Sequence, residues 1–321
     1  MLPWAWARFA LFVLVFLISF ALFFYRQNVV DRRREHVQAR LETSQRQLEA
    51  IPDLVRTMPP ESFLQDLGIT LEKCEVMNAA SGNERAAVLE SVAASLKGIA
   101  ALARAFDTTS SSSTFGANVM VFIPADEASA WASRIKFMGH AEKLSGFKGA
   151  LVLCHDLTAT DRGAPDGNLA EMALPVPLEL GTEKDASGKG GWRPLPGAPM
   201  AFCRKSFEHF SSTRDVANWA RKHADFTSGV LEEVDSYFSS TSAVQGMLSC
   251  PLFAPNSAYQ DRRDREVIGV LNVHWAGAAR LSQKRSGEIF ADAIFPLRLL
   301  LSQQLQVLNE IAGLPRPKET T

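Results

Sequence analysis

The spacing of apolar positions changes along the chain, and each change predicts a different kind of element. From Phe9 to Tyr25 apolar residues run on without a charge, and Ser19 is the one strongly polar position. At ~1.5 Å rise per residue the run covers about 25 Å of helix, near the ~30 Å hydrocarbon thickness of a bilayer. Trp4, Trp6 and Tyr25 stand where interfacial aromatics belong, and Arg8 can reach outward along its stem. No small-residue cleavage site follows, so the run reads as an uncleaved anchor rather than a signal peptide. Arg26, Arg32, Arg33, Arg34 and Arg40 follow it and Arg8 alone precedes it. The positive-inside bias therefore predicts a single-pass protein of the cell (inner) membrane with its C-terminal bulk in the cytoplasm.

Next the spacing becomes helical. Val37, Leu41, Leu48, Ile51 and Val55 fall on a short heptad seam that Pro52 must bend or end. A stronger seam follows at Leu89, Val92, Leu96, Ile99, Ala103 and Phe106, with Ser81 and Glu84 as a capping box ahead of it. It predicts either a helix packed on its own domain or a parallel coiled-coil stalk between two copies of the chain. The polar stretch TTSSSST (108–114) reads as a domain boundary. The expected divisions are a transmembrane anchor over 1–25, a juxtamembrane helical region over 26–107, a main domain over 108–311 and a tail over 312–321.

From residue 117 the period falls to two. ANVMVFI (117–123) and GALVLCHDL (149–157) are strand-like, with a helix or irregular crossover between them. EMALPVPLEL (171–180) sets Met172, Leu174, Val176, Leu178 and Leu180 on one face; Pro175 and Pro177 lack donors and predict an edge strand. GTEKDASGKGG is a long exposed turn and lacks the spacing of a phosphate loop. Residues 205–243 read as helical, with two short amphipathic pieces. GMLSCPLF (246–253) and EVIGVLNVHW (266–275) predict an antiparallel pair joined by a long polar hairpin. After Ser282 a helical stripe runs through Phe290, Ile294, Leu297, Leu301, Leu305 and Leu308, kinked at Pro296 and stopped by Gly313 and Pro315. This order describes an α+β domain: an antiparallel sheet, helices on one face, and a cover of loops and short helices on the other.

GMLSCPLF, the hairpin, VIGVLNVHW and the amphipathic C-terminal helix together resemble the closing half of a GAF domain. Gly246, Leu248, Pro251, Leu252, Ile268, Gly269, Val270 and Leu271 occupy that family's pattern, and PGAPMAFCRKS (196–206) resembles the segment leading into its ligand-covering helices. The resemblance implies a small-molecule sensor or a dimerisation module. GAF domains take cyclic nucleotides, tetrapyrroles, haem or amino acids, or have no known ligand. Val273 after Asn272 departs from the cyclic-nucleotide subtype, and Cys154-His155 lies on an early strand rather than on the pocket helix of bilin-binding members. No cofactor is named by these residues.

Charge nearly cancels, with 34 basic and 35 acidic residues, which argues against a nucleic-acid polymer as partner. The four cysteines form no CxxC pair, and no Cys/His cluster has zinc spacing; they read as reduced thiols. Cys154, His155 and Asp156 are consecutive, so strand alternation turns His155 away from the other two and denies them a triad. No other nucleophile–base or paired-carboxylate arrangement stands out, so the chain reads as a non-enzyme.

Candidate chemistry lies on the strand 266–275. Alternation puts Ile268, Val270, Asn272 and His274 on one face and Val267, Gly269, Leu271, Val273 and Trp275 on the other. Gly269 would let a helix approach the odd face, leaving Asn272 and His274 as polar groups at the end of a covered pocket or as caps of the sheet. On the pocket reading both tolerate apolar replacement without unfolding. Phe202, Arg204 and Trp219 are the candidates from the cover, Arg204 for an anionic group. The favoured reading is a membrane-anchored, homodimeric sensor for a small molecule. The rivals are a ligand-free scaffold at the membrane and a nucleotide-triggered membrane-disrupting effector.

Overall fold

The computed structural model describes residues 58–107, 113–137, 147–162, 171–177, 194–223, 228–240, 244–257, 261 and 264–313. The anchor, the first heptad seam and the exposed turn after residue 180 lie outside the described residues. Two helices come first, α1 (Phe63–Ser81) and α2 (Arg85–Asp107), then the strand β1 (Thr114–Pro124). A 3-10 turn (Ala128–Arg134) precedes β2 (Phe147–Thr160) and β3 (Met172–Pro177). Then come α3 (Ala198–Arg204), β4 (Glu208–Phe210), α4 (Arg214–Arg221) and α5 (Ser228–Ser240). The strands β5 (Gly246–Phe253) and β6 (Val267–Ala276) and the helices α6 (Lys284–Ala293) and α7 (Phe295–Ala312) close the fold.

The six strands form one sheet in the order β3-β2-β1-β6-β5-β4, antiparallel throughout. The protein is therefore α+β. β3 is an edge strand, as its two prolines require, since a missing N–H is harmless only where no neighbour needs it. β5 and β6 pair antiparallel as expected, and β1 completes the centre of the sheet beside β6. The short strand β4 lies in a region whose sequence reads as helical. With its three residues half-buried, it carries too little pattern to announce itself.

One face of the sheet carries the main core. Phe115, Ala117, Val119, Val121 and Ile123 of β1 meet Leu248, Cys250 and Leu252 of β5, together with Leu271, Val273 and Trp275 of β6. The helices α1, α2, α6 and α7 close over them. Val92, Leu96, Ile99, Ala103 and Phe106 of the stronger seam all lie in this core. The seam thus packs on the domain's own sheet, and its near-3.5 spacing marks a core helix rather than a contact between two copies. Leu89, at the helix start, is only partly buried. α2 is also long and apolar enough to cross a membrane, but half of that stretch is buried. Arg104 pairs with Asp161 at the end of β2, fixing the helix to the sheet. Phe106 meets Phe63 of α1 at 5.3 Å and Phe290 of α6 at 5.5 Å, both edge-on, which joins three helices at one point. The compact unit runs Pro59–Thr321.

Three local expectations are corrected. Ser81 ends α1, where its hydroxyl donates to Asn78 O at 2.8 Å, so it does not form the capping box expected ahead of the next helix. Between α6 and α7 the chain breaks at Ile294, with Pro296 in the first turn of the second helix; the expected kink is a division into two helices. In β2, Cys154 to Leu157 stand opposite Val119 alone, between the pairs Met120–Leu153 and Asn118–Thr158. Thr158 Oγ1 closes this bulge by donating to His155 O at 2.9 Å. Simple alternation therefore fails there, with Cys154 packed toward the helix-face core and Asp156 exposed. None of the four cysteines forms a disulfide, and Cys203 lies on α3.

Candidate functional site

β6 carries different chemistry on its two faces. From Gly269 onward the odd residues enter the helix-face core and the even residues face the cover, as alternation predicts. Below Gly269 the order inverts. Leu252 pairs with Gly269 but Phe253 with Val267, so Ile268 is an extra residue. This bulge turns Ile268 toward the helix-face core and Val267 toward the cover, opposite to the expected faces. Gly269 does make room for a close neighbour, but that neighbour is the backbone of β1 rather than a helix: a Cβ there would lie 2.7 Å from Met120 O.

Over the even face, the cover helices leave a cavity of about 550 Å³. Its floor is the centre of the sheet. Asn118 of β1, Asn272 of β6 and Ser249 of β5 stand in register across three strands. Ser249 Oγ donates to Asn272 Oδ1 at 2.7 Å, and Asn272 Nδ2 donates to Asn118 Oδ1 at 2.9 Å. All three are buried. The rung continues a polar line through an otherwise apolar sheet, and each hydrogen bond offsets the cost of removing an amide or hydroxyl from water. Asn118 and Asn272 both line the cavity.

The next rung holds His274, in register with Gly116 on one side and Met247 on the other. Its ring lies across Gly116: a Cβ at that glycine would stand 2.3 Å from His274 Nε2. The glycine is what admits the imidazole against the sheet. The opposite face shows the same device, with the Trp275 ring lying across Gly246.

The far wall is aromatic. Phe137 stacks on Phe238 at 6.4 Å and meets Tyr237 edge-on at 5.5 Å. All three line the cavity. Phe137 has φ 62°, a strained conformation for a bulky residue. Its N–H donates to Glu233 Oε2 of α5 at 2.8 Å, which helps hold that backbone in place. Burial pushes the Tyr237 phenol up to about 12, so it stays protonated at neutral pH. Met120, Met172 and Met247 add soft, adaptable apolar surface. Among the described lining residues there is no Lys, Arg, Asp or Glu.

Of the five residues singled out from sequence, Asn272 and His274 are brought together on the sheet floor of this cavity. The other three do not line the cavity. Phe202 is buried in the core of the cover, stacked on Phe122 at 4.6 Å beneath the Lys148 ammonium. Arg204 leaves the end of α3 for solvent, with a side chain 55% exposed and paired to Glu208 at 3.1 Å. Trp219 stacks on His223 at 4.0 Å, against a satellite cluster of α4 and α5. No cysteine is among the described lining residues, and burial pushes Cys203 up to about 11 and Cys250 and Cys74 upward as well. No group of three His, Cys, Asp or Glu converges among the described residues.

Asn118 on the floor and Phe137, Tyr237 and Phe238 on the far wall are residues that sequence reasoning missed. A signal existed for Asn118, an amide in the middle of the apolar run ANVMVFI. No comparable signal marks Phe137 or Tyr237, which reach the cavity only through the packing of the cover. No protein-family model matches the chain, and no curated protein matches it significantly.

Proposed function

We propose that the chain is a membrane-anchored sensory module that binds a small molecule in the cavity above Asn118, Asn272 and His274. The cavity carries this reading. Its volume, about 550 Å³, falls within the ~300–1,000 Å³ usual for ligand sites, and its apolar walls surround a few placed polar groups. The GAF resemblance supports it: a ligand between sheet and cover is the arrangement that resemblance implies. In this account Phe9–Tyr25 anchors the protein in the cell membrane with the domain in the cytoplasm. The protein acts as a homodimer, and occupancy of the cavity is relayed toward the anchor.

A scaffold without a ligand is the second reading. It is favoured by Leu64, Ile69, Val76 and Met77, apolar side chains left exposed along α1. A nucleotide trigger fits less well, because no described lining residue supplies a cation for phosphate.

Native mass spectrometry of the full chain released from detergent micelles separates the readings. The sensor predicts a bound mass of a few hundred daltons, retained from the cell or acquired from a cell extract. A bare chain under both conditions contradicts it and leaves the scaffold.

A further inference from the structure

The walls and floor of the cavity also restrict what it can hold. We infer that its ligand is an uncharged, largely aromatic molecule bearing a hydrogen-bond acceptor, and that the Asn118 side-chain amide donates to that acceptor. The inference rests on the reading of the cavity as a ligand site.

Three observations carry it. First, no described lining residue has a formal charge of either sign apart from the titratable His274. Among the described lining residues an ionised ligand would find no Lys, Arg, Asp or Glu to replace its hydration, and an unpaired buried ion is strongly disfavoured. Second, the aromatic group Phe137, Tyr237 and Phe238 opposes the sheet, and flat rings pack best against other rings in offset or edge-on contact. Third, the hydrogen bonds of the floor run in one direction. Ser249 donates to Asn272, and Asn272 donates to Asn118, so both amide oxygens are engaged. The rung leaves the Asn118 Nδ2 hydrogens unused at its cavity end, on a residue that is 6% exposed. A buried amide donor is completed by an acceptor such as a carbonyl oxygen or a ring nitrogen.

The test uses the full chain in lipid nanodiscs, with empty nanodiscs as reference, and four probes of nearly equal size. These are 2-naphthamide (neutral with an acceptor), 2-ethylnaphthalene (neutral without one), 2-naphthoate (anionic) and 2-naphthylmethylammonium (cationic). The expected order puts naphthamide tighter than each of the others by about tenfold or more. Asn118→Asp keeps the oxygen that Asn272 bonds and removes the N–H donors. It should weaken naphthamide by about tenfold while 2-ethylnaphthalene is unchanged. Naphthoate or the ammonium binding as tightly as naphthamide overturns the inference; so does equal binding of ethylnaphthalene, which requires no variant. Failure of all four overturns it too. The sensor reading is judged separately, by whether the native mass spectrum shows an adduct and whether Val244→Trp, which fills the cavity away from the rung, removes it.

Discussion

The two faces of β6 are built from the same ten residues and differ in almost everything else. On the helix face, Leu271, Val273 and Trp275 are wholly buried in a core that runs from α1 to α7. On the cover face, Val270 is buried too, but Asn272 and His274 border a cavity, and the apolar residues around it divide into two smaller clusters. A face packed to the density of an organic crystal fixes the fold. A face that holds polar groups and empty volume does less for stability and is free to hold something else. Polar substitution into an apolar strand therefore has a different meaning on each side of the sheet.

The sharpest way to break this comparison is on the packed side. Leu271→Ala removes a fully buried side chain beneath the helices. It should cost about 2–5 kcal/mol, read by chemical or thermal unfolding, because surrounding atoms collapse only partly into the space. A loss well under that range would mean that the helix face is loosely packed. Asn272→Leu comes next. On sequence alone this change was expected to be nearly silent, its neighbours being solvated in an open pocket. The structure makes Asn272 the middle of a buried rung, 4% exposed and bonded on both sides. Its removal strands the Ser249 hydroxyl and the Asn118 oxygen, for an expected loss of about 1–3 kcal/mol. Restoration of stability by the triple change Asn118→Leu, Ser249→Ala, Asn272→Leu would show that the loss comes from unmade hydrogen bonds rather than from shape.

A smaller effect tests the helix face through pH. His209 Nε2 donates to Leu281 O at 2.7 Å, and the ring sits beside that of Trp275 at 5.9 Å. Burial lowers its pKa from the ordinary 6.5; the backbone bond and the carboxylates Glu288 and Asp215 oppose that shift, and Lys284 adds to it. Because the folded state holds the proton less well than the unfolded chain, the His209 contribution is fully present above pH 6.5 and is lost as pH falls through the lowered value. The melting temperature should therefore fall on acidification through that window, and His209→Gln should flatten the fall. An unchanged profile in the variant would remove His209 as its source.

Much of this architecture was legible because strong local rules coincide with the fold. The prolines of 171–177 can sit only at an edge, so that position was readable, whereas Pro296 reads as a kink and stands instead in the first turn of a second helix. Asn272 and His274 stood out because an apolar strand has few reasons to carry them. What the sequence hid was mostly geometry between elements. α1 offers Phe63, Leu67, Leu71 and Cys74 inward but leaves Leu64, Ile69, Val76 and Met77 exposed, so its stripe is blurred. The bulge at Cys154–Leu157 inserts residues without any Gly or Pro to mark it, Gly269 beside the Ile268 bulge reads equally as a close-approach glycine, and each bulge inverts the faces beyond it. Arg204 and Phe202 lie two residues apart on one helix end, yet one goes to solvent and the other to the core; helical spacing alone does not say which side the cover presents. The α2 seam was ambiguous for a physical reason: a helix packed between a sheet and another helix shows the same narrow stripe as a coiled coil.

His274 separates the two faces most directly. It lines the cavity and lies over Gly116, outside the Ser249–Asn272–Asn118 rung. The decisive measurement pairs the melting temperature of His274→Leu with its native mass spectrum, taken on the same full-length sample. The account predicts a loss of stability clearly smaller than that of Leu271→Ala, together with loss of the small-molecule adduct. A variant that keeps the adduct, or one that loses stability on the scale of Leu271→Ala, would contradict it.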